Sequence, residues 1–459
     1  MPIEHDEKEK SMKQKRMRIA FISEHASPIA RLGGSDAGGQ NVYVDELSQQ
    51  LGALGYQVDI FTRRDCPELP EIVHRAPGVR VIHLTAGPET WCLKDDLWPF
   101  MPAFRDALLR FMQREELRYD IIHGHFWMSG WVATELQRLL GTPVVQLFHA
   151  TGKTKRRYQG VADTSPVERI AVELDIMRKA ERVIAQCPNE RQEFIADYGA
   201  DPNKVALIPA AVNIHSFHPV ERSLARQQIG LDLAGQVIVY VGRLLPRKDV
   251  RNVVQAMERL LHQYTLEASG TPPTLLIVGG ETEDPDPRAT PEIGALLELA
   301  RELGIAQYVR FTGMRQPDTL RYYYSAGDVV VTTPWYEPFG LTPLEGMACG
   351  RPVIGSNVGG IAHTVVDGQT GFLVPPRDPA MLAARLHEIF TNSEQRERMG
   401  TAARLRVEQE FTWPITALRT TLLYETLIAE QMQRTESFWK LQWPRPAISD
   451  GHSASGNYW

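Results

Sequence analysis

Residues 17–23, MRIAFIS, and residues 236–241, QVIVYV, decide the fold of this chain. Each is a short apolar run with β-branched residues, followed by glycine and then by a helical pattern, which predicts the opening of a parallel βα series. Glycines and a helical pattern from Asn41 to Gly52 follow the first run, and Gly242 with a helical pattern over about 249–263 follows the second. Because the openings lie far apart in the sequence, we expect two α/β halves.

Further apolar runs follow both openings, separated mostly by helical stretches. In the first half they are 58–62, 81–84, 121–123, 144–148, 183–185 and 205–208, and in the second half 274–278, 309–312, 329–332, 352–356 and 371–374. Continuous apolar strands of this kind belong to parallel sheets that are covered on both faces. The alternation predicts two Rossmann-like, doubly wound α/β domains.

The expected domains are 17–215 and 216–414, and a helix over about 415–435 is expected to complete the first of them. The joint is placed at the polar stretch that follows Ile208 and Pro209. Residues 1–16, which are rich in charge, are expected to form a disordered tail. Residues 436–459 are expected to form a loosely held C-terminal tail.

Composition narrows the function classes. The chain has 459 residues, 43% of them apolar, and a net charge of −6, which argues against a dedicated nucleic-acid binder. Its four cysteines lie far apart, without the spacing of a zinc site or a disulfide framework. No uninterrupted apolar run reaches about 18 residues, so we expect a cytoplasmic protein that makes no membrane contact.

The densest motif is EPFGLTPLE, Glu337 to Glu345, between the strand at 329–332 and a helix expected to start at about Thr342. Gly340 lets a ligand approach the backbone, and the helix start offers N–H groups to an anion, so the segment predicts a diphosphate cradle. Glu345 is placed to accept hydrogen bonds from a diol such as ribose. Two surface glutamates favouring a helix dipole are the alternative interpretation.

Two cations follow the strand at 237–241 directly. Arg243 and Lys248 stand at the carboxyl end of a parallel strand, where they could hold phosphate groups and neutralise a leaving diphosphate. A solvated loop is the alternative. The glycines up to Gly39, followed by Gln40, are a poor match to the dinucleotide fingerprint, and indicate either a flexible turn or a loop that packs against a sugar and its pyrophosphate.

The first half carries a histidine and scattered basic residues. His149 closes the strand at 144–148, with a basic loop behind it, and is interpreted as functional rather than structural. His123 and His125 are interpreted as packing residues, because no third metal ligand lies nearby. Arg169 begins a helical pattern whose apolar face meets the core, which leaves its side chain to point at the cleft.

Together these motifs resemble the retaining nucleotide-sugar glycosyltransferases of GT-B fold, over about Met17 to Thr426. Within that family, DAGGQNVYVDEL (36–47) and the basic residues resemble sucrose-phosphate synthase, with the inositol-phosphate N-acetylglucosaminyltransferase of mycothiol synthesis close behind. Sucrose-phosphate synthases commonly have Thr where this chain has Ala37, and NVYV is shared with the inositol-phosphate enzymes. Gln40 favours the first, since the second usually has Met there.

The resemblance implies an acceptor-binding first domain and a donor-binding second domain that face a central cleft. The implied reaction transfers glucose, with UDP-glucose as donor, to fructose 6-phosphate, giving sucrose 6-phosphate. Transfer to an inositol phosphate, a sucrose-synthase-like activity and a non-catalytic nucleotide-sugar sensor are the alternatives. Both substrates are small molecules, and neither a cofactor nor a metal is implied.

The resemblance also assigns site residues. The catalytic set is His149, Arg243, Lys248 and Glu337. The donor-binding set is Gly39, Gly313, Met314, Arg315, Phe339, Gly340, Leu341, Thr342 and Glu345. The acceptor-binding set is Gln40, Lys94, Arg105, Thr151, Lys153, Lys155, Arg169 and Arg178.

Overall fold

The computed structural model of the protein describes residues 17–29, 38–231, 235–267 and 271–442, apart from the side chains of 265–267 and 435–442. The predicted N-terminal tail and residues 443–459 of the predicted C-terminal tail lie outside the described residues. So do residues 30–37 of the glycine-rich stretch. The last helix continues to Gln442, into the segment predicted as tail, because helix-compatible residues run on until Pro444.

The first half is built on an eight-stranded sheet, ordered β3-β4-β2-β1-β5-β6-β7-β8. Its strands are β1 (Arg18–Ile22), β2 (Gln57–Arg63), β3 (Ile72–Ala76), β4 (Val79–Leu84), β5 (Ile121–His125), β6 (Val144–Leu147), β7 (Arg182–Ala185) and β8 (Val205–Leu207). All neighbours pair in parallel except β3 and β4, which form an antiparallel edge.

The second half is built on a six-stranded parallel sheet, ordered β11-β10-β9-β12-β13-β14. Its strands are β9 (Val237–Val241), β10 (Thr274–Val278), β11 (Val309–Gly313), β12 (Val329–Thr332), β13 (Val353–Ser356) and β14 (Gly371–Val374). Strand β9, one of the two stretches that predict the fold, is buried along its whole length near the centre of this sheet.

Helices connect the parallel strands of both sheets, as crossover topology requires. In the first half they are α1 (Gly39–Ala53), α2 (Met101–Arg114), α3 (Trp127–Leu140), α4 (Gly152–Gln159), α5 (Arg169–Lys179) and α6 (Pro188–Tyr198). After them come α7 (Arg222–Gln228), α8 (Val250–Glu267), α9 (Pro291–Glu302), α10 (Pro317–Ala326), α11 (Leu341–Ala348), α12 (Ile361–Thr364), α13 (Pro379–Thr391), α14 (Ser393–Glu410) and α15 (Trp413–Gln442). Short 3₁₀ turns lie at Lys94–Asp96, Trp98–Phe100, Gly160–Ala162, Pro246–Lys248 and Ala306–Tyr308.

The chain passes between the halves at two adjacent places. Val212 leaves the first half and its backbone N–H donates to Phe411 O at 3.0 Å, where the chain returns into α15. Thr416 of α15 then donates to Pro209 O at 3.0 Å, and Tyr424 packs under the first sheet with its hydroxyl 2.6 Å from His123 Nδ1. Helix α15 therefore belongs structurally to the first half. The predicted fold class, two Rossmann-like α/β domains, is confirmed.

Candidate active site

The end of β9 carries the two cations predicted from sequence. Arg243 follows Gly242, and its Nη2 lies 4.0 Å from where a Cβ on Gly38 would be, so it reaches the glycine-rich loop of the first half. Lys248 closes the 3₁₀ turn and forms an ion pair with Glu337. The structure thus brings both cations to the carboxyl edge of the second sheet, facing the first.

Glu337 and Lys248 form a partly buried ion pair. Burial alone would raise the pKa of Glu337, but the positive charges of Lys248, Arg247 and Arg243 outweigh it and hold that pKa below its usual value. Burial lowers the pKa of Lys248, and Glu337 opposes that shift. The carboxylate is therefore ionised and fixed beside a cluster of cations.

The backbone after Glu337 is shaped by glycines. Gly360 N donates to Glu337 O at 3.1 Å, and a Cβ on Gly359, whose φ is 45°, would lie 1.9 Å from that same oxygen. Gly340 has a φ of 88° and precedes α11, so no side chain caps the helix. Binding of an anion by the first N–H groups of α11, at Leu341 and Thr342, stays a prediction that this uncapped helix start allows.

Glu345 lies in the second turn of α11. Tyr324 donates its hydroxyl to Glu345 Oε2 at 2.6 Å. Burial raises the pKa of Glu345, and the bond from Tyr324 only partly offsets this. Phe339 is buried beneath the segment. One carboxylate oxygen of Glu345 is thus held by the protein, which fixes the direction of the other.

The predicted base-binding turn, Gly313–Arg315, follows β11. Met314 N donates to Thr282 O at 2.8 Å, and Arg315 donates to Glu283 O at 2.9 Å. A Cβ on Gly313 would lie 2.1 Å from Glu283 O. The turn is therefore packed tightly against residues 282–283, which sequence reasoning did not place in the site.

The first half presents α1 to this edge. Helix α1 begins at Gly39, where a Cβ would lie 3.6 Å from Leu341 Cδ1, so the two halves meet here. Gln40 Nε2 donates to Ser23 Oγ at 3.1 Å and to His125 O at 3.3 Å. These bonds fix Gln40 at the carboxyl ends of β1 and β5.

His149, which follows β6 by two residues, has an unusual backbone conformation. Its φ is 59°, the left-handed region, and its Nε2 is 3.2 Å from His125 Nδ1. Its ring stacks on His125, which in turn stacks on His123. Burial, with smaller contributions from nearby histidines, lowers the pKa of His149 to about 3, so the ring is neutral. His123 and His125 are packing residues, as predicted.

Three of the predicted acceptor cations converge on one aromatic ring and one carboxylate. Lys94 Nζ lies 5.6 Å and Arg169 Cζ 4.9 Å from the centre of the Phe126 ring. Lys155 Nζ is 3.5 Å from Asp95 Oδ2. Although burial opposes it, Thr164 and the charges of all three cations hold the pKa of Asp95 below its usual value. We call Lys94, Lys155, Arg169 and Phe126 the basic cluster.

Arg169, whose side chain is predicted to point at the cleft, is buried there by its partners. It is 2% exposed, and it donates to Glu173 Oε1 at 2.8 Å and to Ala150 O at 2.7 Å. A buried guanidinium requires such partners. Thr151 precedes α4 and is buried beside this pair, with its Oγ1 bonded to Thr154 at 3.1 Å.

The structure places three other predicted acceptor residues away from the cluster. Arg178 lies about 13 Å along α5 from Arg169, and its side chain is 74% exposed and pairs with Asp175. Arg105 pairs with Asp106 and packs on Trp131, so it joins α2 to α3. Lys153 turns to the carbonyl of Asp197 and the ring of Tyr198. These partners account for the present orientations, and an acceptor contact of each of the three residues stays a prediction.

A cavity lies between the halves at the centre of these groups. It is lined by Ala150, Thr151, Thr154, Tyr158, Glu190, Glu193, Tyr336, Glu337, Pro338, Val358 and Gly359. Tyr158 of the first half stacks on Tyr336 of the second at 4.9 Å, and Gln159 donates to the Tyr336 hydroxyl at 2.6 Å. Sequence reasoning missed Tyr158, Tyr336 and the two glutamates. The paired glycines at 359–360, which the sequence analysis did not use, are a signal that could have indicated this wall.

Glu190 is an unusual carboxyl group in that wall. It is 5% exposed, and Gln186 N donates to its Oε2 at 2.6 Å. Burial raises its pKa from 4.5 to about 8. The folded protein therefore holds a proton on Glu190 that the unfolded chain releases at neutral pH.

This proton predicts a pH-dependent stability. A raised pKa makes the folded state lose stability as pH rises from about 4.5 towards 8, by at most about 1.4 kcal/mol per pH unit. Glu190→Gln keeps an oxygen that accepts from Gln186 N but cannot lose a proton. The unfolding temperature of this variant should therefore rise relative to that of the wild type as the pH increases from 5 to 8. Thermal unfolding across this range measures it. For the control Glu298→Gln, at an exposed residue, the unfolding temperature should change with pH as it does for the wild type. The same pH dependence for Glu190→Gln would contradict the proton assigned to Glu190.

Two kinds of feature are absent from the described residues. No cluster of three or more His, Cys, Asp or Glu side chains suited to a metal ion occurs in 17–29, 38–231, 235–267 and 271–442. Within the same ranges, no helix is long and apolar enough to cross a membrane.

Comparison with known proteins agrees with this geometry. The family described as "Glycosyl transferase 4-like domain" matches residues 38–211, and "Glycosyl transferases group 1" matches residues 221–406. The chain is 34% identical over 89% of its length to a D-inositol 3-phosphate glycosyltransferase of Corynebacterium efficiens, covering 95% of that protein. It is 37% identical over 86% of its length to the protein of that name from Frankia alni, again covering 95%.

A solved structure is similar over the same span. The sucrose-phosphate synthase of Thermosynechococcus elongatus superposes with a TM-score of 0.81 at 34% identity, over 90% of this chain and 100% of that one. Both halves, their order and the facing sheet edges are thus shared with nucleotide-sugar enzymes. The chain belongs to the group 1 glycosyltransferases of GT-B fold.

Proposed function

We propose that the protein is a retaining glycosyltransferase that moves a hexose from a nucleotide sugar to a phosphorylated small molecule. One observation carries this proposal. The cavity has Glu337, paired with Lys248, on its second-half wall, and the basic cluster lies beside Ala150 and Thr151 on its first-half wall. A sugar donor and an anionic acceptor each find complementary charge there, and they meet between the two walls.

The second half supplies the donor site. In the proposed complex, Arg243, Lys248 and the N–H groups at the start of α11 bind the diphosphate, Glu345 binds the ribose and Glu337 binds hydroxyls of the sugar. As the bond from the anomeric carbon to the diphosphate breaks, these cations and N–H groups stabilise the charge that grows on the leaving oxygen. His149, which is neutral, faces the sugar from the first half.

The acceptor hydroxyl attacks the anomeric carbon from the side that the diphosphate leaves, which retains the configuration. Its proton passes to the departing phosphate oxygen, so no separate base and no cofactor enter the proposed step. The new glycosidic bond replaces the bond to the diphosphate, and the products are nucleoside diphosphate and glycosylated acceptor. Closure of the two walls excludes water from this exchange.

Fructose 6-phosphate with UDP-glucose is the first candidate pair. It is supported by Gln40, held at the cleft by Ser23 and His125 O, and by the similarity to a sucrose-phosphate synthase. An inositol phosphate is the second candidate, favoured by the names of the relatives that match most of the chain. Both candidates are phosphorylated polyhydroxy compounds, which the basic cluster suits equally.

A substrate panel tests the proposal. The protein is incubated with UDP-, ADP- and GDP-sugars and with fructose 6-phosphate, inositol phosphate and their unphosphorylated forms, and products are identified by mass spectrometry. We expect fructose 6-phosphate to be used at least about a hundredfold better than fructose, because fructose carries no negative charge for the cations of the basic cluster to bind. Equal use of fructose would replace the proposal with a sucrose-synthase-like activity. Nucleotide binding without any transfer would indicate a sensor.

A further inference from the structure

A buried carboxylate surrounded by arginines lies at the edge of the second sheet opposite the candidate active site. Asp328 directly precedes β12, so it lies at the amino edge of that sheet, whereas Lys248 and Glu337 lie beyond the carboxyl edge. Asp328 is 1% exposed, and Val237 N donates to its Oδ2 at 2.9 Å. This bond fixes the carboxylate beside the start of β9.

Three guanidinium groups form ion pairs with this carboxylate. Arg222 Nη1 lies 3.0 Å and Arg396 Nε 3.7 Å from Asp328 Oδ1. Arg226 Nη2 lies 3.6 Å from the other carboxylate oxygen. Arg222 and Arg226 belong to α7, and Arg396 belongs to α14. The carboxylate therefore joins two helices that are distant in the sequence.

A fourth arginine lies beside these three. Arg351 precedes β13, and its guanidinium donates to a carbonyl, Ser325 O at 2.7 Å, rather than to a carboxylate. Burial, and then the positive charge of Arg222, lowers the pKa of Arg351 to about 10, although Asp328 opposes the shift. We call Arg222, Arg226, Arg351 and Arg396 the arginine cluster. Among the described residues, it places four positive charges around the one negative charge of Asp328, an excess of three.

The cluster also contains buried donors that lack acceptors. The Nε–H groups of Arg222, Arg351 and Arg396 are buried, and no atom of the described residues accepts a hydrogen bond from them. Buried donors in folded proteins are nearly always bonded, to protein, to ordered water or to an ion. A guanidinium donates two parallel bonds to one oxyanion, and water supplies acceptors but no charge. An oxyanion therefore provides both the missing acceptors and the missing negative charge.

The arginine cluster is accessible from solvent. The side chain of Arg222 is 36% exposed, and those of Arg226 and Arg396 are 18% and 12% exposed. An anion can therefore approach at Arg222 and reach guanidinium groups that are largely desolvated, where a charge-assisted hydrogen bond is stronger than at an open surface.

We propose that the arginine cluster is a binding site for a phosphate group, separate from the candidate active site. The proposal does not depend on the proposed function. A phosphate group carries a charge of about −1.5 to −2 at neutral pH and three or more acceptor oxygens, so it offsets most of the excess charge and bonds several guanidinium groups at once. Bound there, it joins α7 and α14 to the start of β13.

Thermal unfolding in phosphate tests the site. Phosphate also stabilises proteins in general, so each protein is compared in phosphate and in chloride at equal ionic strength. We expect phosphate to raise the unfolding temperature of the wild type by about 2–4 °C more than those of Arg222→Gln and Arg396→Gln. Arg398→Gln is the matched control and should keep the full wild-type increase. Arg398 lies on the same helix as Arg396, but its side chain is 62% exposed and pairs with Glu394.

An equal increase in the wild type and in both cluster variants overturns the inference. Phosphate that binds the cations of the candidate active site does not affect this comparison, because those cations are intact in every variant. An increase that Arg398→Gln reduces as much as Arg396→Gln also overturns it, since the effect would then follow net charge rather than the cluster.

The wild-type protein provides a measurement that does not depend on the variants folding. Hydrogen–deuterium exchange is followed by mass spectrometry with inorganic phosphate, with glycerol 3-phosphate, and with chloride alone. We expect at least about threefold slower exchange in peptides within 222–229 and 393–400, relative to peptides of α9. Slowing by glycerol 3-phosphate assigns the site to phosphate esters, and slowing by inorganic phosphate alone assigns it to the free anion. Slowing by neither probe, or slowing confined to peptides of the cleft, overturns the inference.

Discussion

Lys248→Met lowers kcat by about two orders of magnitude or more, the expected cost of removing one contact to a leaving group that gains charge. Methionine preserves the length and packing of the side chain, so the loss reports the ammonium. Steady-state turnover with UDP-glucose and the acceptor found in the panel measures it.

A double variant separates catalysis from folding. The single change leaves Glu337 without its ion-pair partner, which should also lower the unfolding temperature. Lys248→Met combined with Glu337→Gln removes both charges, so we expect the unfolding temperature to recover, while turnover stays well below that of Glu337→Gln alone. Recovery of turnover together with stability would show that Lys248 acts only through the fold.

Arg169→Met destabilises the protein by about 3–5 kcal/mol, because it leaves the buried carboxylate of Glu173 without its cation. Glu173 retains bonds from Gly152 N at 2.9 Å and from the Tyr198 hydroxyl at 2.6 Å, but neither supplies a full positive charge. Urea unfolding measures the change. The KM for the phosphorylated acceptor should rise as well.

The same helix supplies the control for this prediction. Arg178 belongs to α5 but its side chain is 74% exposed, so Arg178→Met should alter the free energy of unfolding by no more than about 0.5 kcal/mol and leave acceptor KM unchanged. Equal effects of the two substitutions would refute the distinction that the structure draws between them.

The strands that carry the site could be predicted because they are buried on both faces and read as continuous apolar runs. Strand β3 was not predicted, because Ile72–Ala76 is an antiparallel edge strand whose apolar pattern is interrupted and which has two exposed residues. The meeting of Lys248 with Glu337 follows from strand direction, because both residues come after the carboxyl ends of strands in one sheet.

The acceptor wall could be predicted only in part. Lys94, Lys155 and Arg169 converge as predicted from the sequence. The sequence does not show, however, which other basic side chains pair with a nearby carboxylate instead of pointing into the cleft. Arg105 forms an ion pair with Asp106, and Lys153 donates to the carbonyl of Asp197 on α6.

The paired chain crossings have a mechanical consequence. Val212 and Phe411 are joined by a backbone hydrogen bond, so the two links between the sheets form one narrow strip rather than two separate tethers. Sliding or twisting one half on the other would break that strip, whereas bending along it leaves the bond intact. This arrangement favours a hinge motion in which the cleft opens by bending along the strip. Such an opening would release the ring contact between Tyr158 and Tyr336 and the hydrogen bond from Gln159 to the Tyr336 hydroxyl.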